Sequence, residues 1–98
     1  MLPNIIIQIN KDMQLSGNPY EIDQKDTAQQ LVTDLGNIIQ KLLRTDFSGL
    51  LNLFYRMDIP ESLLLKMMAE TPDDLTQNLT LLVLKKEWMK VWLRNKNL

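Results

Sequence analysis

The last quarter of the chain constrains the fold most. Thr71-Pro72-Asp73-Asp74 reads as a helix start: a cap residue, a proline in the first turn, and an acid three residues past the cap. Beyond Pro72 there is no Gly or Pro, and helical spacing persists to about Asn95. Turning about 100° per residue from Leu75 places two apolar groups on this helix. One holds Leu75, Leu79, Leu82, Met89 and Leu93; the other holds Leu81, Leu84, Trp88, Val91 and Trp92. Only a narrow polar strip, Thr76, Thr80, Glu87 and Arg94 with Lys90 at its edge, lies between them. The apolar arc is roughly 200° wide, whereas a helix on the outside of a bundle needs a stripe of little more than 100°. Such a helix is either central, with neighbours on two sides, or gives one face to a partner.

The rest of the chain supplies candidate neighbours. Leu2–Leu15 carries two periodicities. Ile5, Ile7 and Ile9 alternate as in a strand, and Leu2, Ile5, Ile6, Ile9 and Met13 keep the spacing of a helix. Length, Pro3 in a first turn and Gly17 at a left-handed cap position favour the helix. A second helix is expected from Asp23 or Asp26, with the stripe Ala28, Leu31, Val32, Leu35, Ile38, Ile39, Leu42 and Leu43. Gly36 lies inside it, where a close approach by another backbone would explain it. Asp46 caps a third, with Phe47, Leu50, Leu51, Phe54 and Tyr55 at helical spacing. Asp58 and Glu61, around Pro60, are spaced as a capping box for a short fourth, with Leu63, Leu64, Met67 and Met68 as its apolar side. The expectation is an all-α fold, a compact bundle of four or five helices with a long, largely buried C-terminal helix, residues 1–98 forming a single helical domain.

Composition removes most chemistry. The chain has no Cys and no His, so thiolate metal sites, cysteine nucleophiles and the commonest general base are excluded. Glycine occurs only at 17, 36 and 49, which leaves no phosphate-cradling loop. The acid pairs Asp23/Asp26, Asp58/Glu61 and Asp73/Asp74 fall at helix starts, where carboxylates satisfy free N–H groups. We therefore expect no enzyme, no cofactor, no metal and no small-molecule substrate. The longest unbroken apolar run, Leu81 to Leu84, is too short to span a membrane. Met1-Leu2-Pro3-Asn4 lacks the basic region of a signal peptide, so a cytoplasmic protein is expected.

Charge is uneven along the chain. Residues 1–84 hold 6 basic and 11 acidic groups, net −5, and residues 85–98 hold five basic groups against Glu87, net +4. A basic end can complement the helix dipole or the acidic body, or meet nucleic acid or anionic lipid. Trp88 and Trp92, one turn apart, fit plain core packing or an anchor for a second chain. Leu81, Leu84, Trp88 and Trp92 with Lys85 are the candidate partner-binding residues. The reading is a non-enzymatic module for protein–protein interaction or assembly, its partner an unknown protein or a second copy. The alternative is peripheral binding to anionic membrane or nucleic acid through the basic helix. The short segment Glu61 to Glu70 offers only Lys66 to a nucleic acid.

Asp46-Phe47-Ser48-Gly49-Leu50-Leu51-Asn52-Leu53-Phe54-Tyr55-Arg56-Met57-Asp58-Ile59-Pro60-Glu61, with Lys85-Lys86-Glu87-Trp88 and Val91-Trp92-Leu93-Arg94, resembles a group of small uncharacterised bacterial helical proteins of about this length. The resemblance implies a bacterial, cytoplasmic, helical protein and carries no activity or site. Within it, Tyr55, Arg56 and Asp58 form a candidate structural corner, fixed by an Arg56–Asp58 link or by the Tyr55 hydroxyl.

Overall fold

In α1 (Leu2–Leu15) the helical reading prevails over the alternating one, because Ile5, Ile6, Ile9 and Met13 are buried while Ile7 stays 51% exposed. The computed structural model of the chain describes residues 1–96. Gly17, at φ 82°, ends α1: its N–H donates to the Gln14 carbonyl, and that of Asn18 to the Met13 carbonyl. The buried Asn18 amide also donates to the Gly49 carbonyl at 3.2 Å, tying this cap to the third helix. An extended connector follows. Asn10 pairs with both the N–H and the carbonyl of Ile22, holding Ile22 in the core.

α2 (Ala28–Thr45) is capped by Thr27 and Gln30 in a reciprocal capping box, not by Asp23 or Asp26. Asp23 instead accepts the Lys25 N–H at 2.9 Å and closes a local turn. α3 (Phe47–Arg56) is capped as expected, the Asp46 carboxylate accepting the Gly49 N–H. α4 (Glu61–Glu70) lacks the expected capping box: no side chain caps it, and Asp58 stands at φ 62° at the end of α3. Aspartate is one of the few non-glycine residues that tolerates that conformation. Thr71 closes α4, donating to the Met67 carbonyl, and stands at the start of the next turn without capping it through its side chain. Pro72–Asp74 is a single 3-10 turn, and α5 (Leu75–Lys96) continues from it.

The chain is all-α, and its buried apolar side chains form one contiguous cluster. α5 lies across α1 and α2 and meets α4 near its start, while α3 fills the space against α1 and α2. The radius of gyration, 12.9 Å, matches the ~12.6 Å of a compact chain of this length. Where α2 passes α5, Gly36 faces Thr80, but a Cβ on Gly36 would meet the Thr80 hydroxyl at an ordinary 3.5 Å. Packing therefore does not require glycine there. Gly36→Ala should stabilise the fold by about 0.5–1 kcal/mol, raising Tm by roughly 3 to 6 °C in a thermal melt.

Candidate functional site

The long helix docks with its polar strip inward. Its buried residues are Leu79, Thr80, Val83, Glu87 and Val91, so two members of the strip between the apolar groups, Thr80 and Glu87, sit in the interior. The opposite side is apolar and open. Leu81 is 55% exposed, Trp88 43% and Trp92 39%, with Met89 and Leu93 beside them. Full enclosure of both apolar groups by the chain itself, which would make the indoles core residues, is not observed.

The physical reason lies on α1. Gln8 and Asp12, both buried, flank its stripe of Ile5, Ile9 and Met13 and offer polar partners only to a polar face. Lys90 Nζ meets Asp12 Oδ2 at 3.2 Å and also donates to the Arg56 carbonyl at 2.8 Å. Gln8 Nε2 donates to Asp12 Oδ1 at 3.2 Å. Thr80 returns its hydroxyl to the Thr76 carbonyl, which satisfies it without a partner on α2.

Glu87 is the unusual member of this seam. It is fully buried, and neither carboxyl oxygen meets an N–H or hydroxyl donor. Burial, a hydrogen bond to Asp12 and the negative charge of Asp12 push Glu87 up to about 9, with Lys90 opposing. Glu87 therefore holds its proton at neutral pH, beside the buried Asp12 carboxyl. At the connector, a hydrogen bond to Asp34, with partial desolvation and the charges of Asp34 and Asp23, raises Asp26 to about 6. Among the described residues, no group of three or more carboxylates is placed to hold a metal ion.

The candidate partner-binding residues of the last helix come together in part. Leu81, Lys85, Trp88 and Trp92 share the exposed face, whereas Leu84 turns toward the core and is half-buried. The two indoles stack with centroids 5.9 Å apart and planes 12° from parallel, and Lys96 Nζ lies 4.8 Å from the Trp92 ring centre. The candidate corner is held differently from expectation. Tyr55 is 81% exposed, and among the described residues neither its hydroxyl nor an Arg56–Asp58 pair makes a contact that fixes the turn. Backbone bonds do so, Ile59 N–H to the Phe54 carbonyl and Met57 N–H to the Leu53 carbonyl, with Lys90 on the Arg56 carbonyl.

No protein-family model, curated protein or solved structure matches the chain. No helix of the described residues is long and apolar enough to cross a membrane.

Proposed function

We propose that this chain is a non-enzymatic association module that pairs with a second copy of itself through the outer face of α5. The observation that carries the reading is the stacked Trp88–Trp92 pair, open to solvent beside Leu81, Met89 and Leu93. A continuous apolar face of this kind marks an interaction surface. Tryptophans are also the residues most often found at the energetic centre of one. Stacking holds both side chains in place before binding, which lowers the entropy lost on association.

Charge along the helix favours a second copy. Asp73 and Asp74 are exposed at its start, Arg94 and Lys96 at its end. Antiparallel pairing about a twofold axis near Leu84 and Lys85 sets each acidic start against the other copy's basic end. The same register lays Leu81 of one copy over Trp88 of the other. The helix is about 33 Å long, so the two charge contacts lie at the rim, with the apolar residues between.

Sedimentation velocity across the micromolar range tests this. The native chain should form dimers. Trp88→Glu, at an exposed position, should leave the helical circular dichroism unchanged and weaken pairing by about 2 kcal/mol or more, roughly thirtyfold in Kd. A native chain that stays monomeric at high micromolar concentration, with both indoles open to a quencher, would reject the reading. Lys85 and Lys96 beside the same apolar face favour the second reading, docking on an anionic membrane. Co-sedimentation of the monomer with vesicles containing acidic lipid, and not with neutral ones, would favour it.

A further inference from the structure

We propose that the Asp12–Glu87 pair is a proton-operated latch: α5 stays docked on α1 while one proton lies between the two carboxyl groups, and loosens when that proton leaves. The geometry carries this. Glu87 is fully enclosed on α5, its two oxygens lack any donor, and the Asp12 carboxyl lies opposite on α1. The charged groups facing it can be named from each neighbouring element. α1 contributes Asp12, the turn after α3 contributes Asp58, and α5 itself contributes Lys90. With one shared proton, the negative charge of Asp12 is balanced by Lys90. Without it, two buried carboxylates share a single ammonium that is also committed to the Arg56 carbonyl.

The sign follows from linkage. Glu87 has an ordinary value of 4.5 and rises to about 9 in the fold, so the folded state binds the extra proton between those limits. The contribution of this proton to stability is fully present below pH 4.5 and is lost progressively as pH rises toward 9. Two contacts that seat α5, from Lys90 to Asp12 on α1 and to the Arg56 carbonyl at the end of α3, belong to this cluster, so the loss falls on the docking of that helix. The inference does not depend on self-association and is testable on the Trp88→Glu monomer.

The experiment is urea unfolding of that monomer from pH 5 to pH 9. Folding should take up about one proton per chain near pH 7, the folding equilibrium constant falling close to tenfold per pH unit. Adding Glu87→Gln, which keeps the shape and cannot ionise, should remove most of that slope. Carboxyl-carbon NMR of the Glu87 side chain in the otherwise native chain decides the matter even if the glutamine variant fails to fold. Titration well above the ordinary carboxyl range supports the latch. Titration near 4.5, or folding with no proton uptake, overturns it.

Discussion

Phe54→Ala should lower the stability of the fold by about 3–5 kcal/mol, a third or more of what a domain of this size commonly has. Phe54 is 1% exposed and packs with Leu50 and Leu53, the buried face of α3. α3 is only ten residues long, too short to persist without tertiary contacts. The loss is therefore not confined to the void left by the ring. The Phe54 carbonyl also accepts the N–H groups of Met57 and Ile59, so the turn into α4 depends on the same residue staying in place. Tyr55→Ala provides the control. At 81% exposure, the ring next in sequence should change stability by no more than about 0.5 kcal/mol. Urea unfolding of both variants at neutral pH gives the comparison. Equal losses would mean that α3 does not pack as described.

Lys90→Met should cost about 2–3 kcal/mol at pH 7, below the range for breaking a fully buried ion pair because the lysine is partly exposed. Methionine fills the space of the aliphatic stem, so most of the cost is electrostatic. Asp12 retains the Gln8 amide but loses its cation, and the Arg56 carbonyl loses its donor. A variant as stable as the native chain at pH 7 would show that water reaches Asp12. The contrast with Glu87→Gln is diagnostic: removing the cation leaves a buried charge uncompensated, whereas removing the ionisable acid prevents a second buried charge from forming as the pH rises.

Much of the architecture was legible because periodicity and caps are local. The stripe of α2, the Asp46 cap, the left-handed glycine after α1 and the long final helix all follow from residues within a few positions of one another. Two caps were misread, each for a physical reason. Asp23 was engaged in its own turn, and Asp58 ended one helix before it could begin another. The width of the apolar arc on α5 left two outcomes open, enclosure by the chain or an open face, and the exposure of Leu81, Trp88 and Trp92 decides for the second. Which side faces inward was not readable from that helix. It depends on Gln8 and Asp12, some 75 residues away in sequence, whose placement beside a run of isoleucines was the available clue. A polar strip normally faces water, and only matching polar groups on the neighbour reverse that preference.

The indole pair has a practical consequence for anyone following this molecule in solution. With ring centres 5.9 Å apart and planes nearly parallel, the chromophores share excitation, and both lie partly in water. Their emission thus reports directly on whatever comes to rest against them. Burial by a second surface would move the emission to shorter wavelength and protect it from iodide, while local fraying of the helix would part the rings and change their near-ultraviolet dichroism instead. The chain carries its own optical gauge, and no dye need be attached.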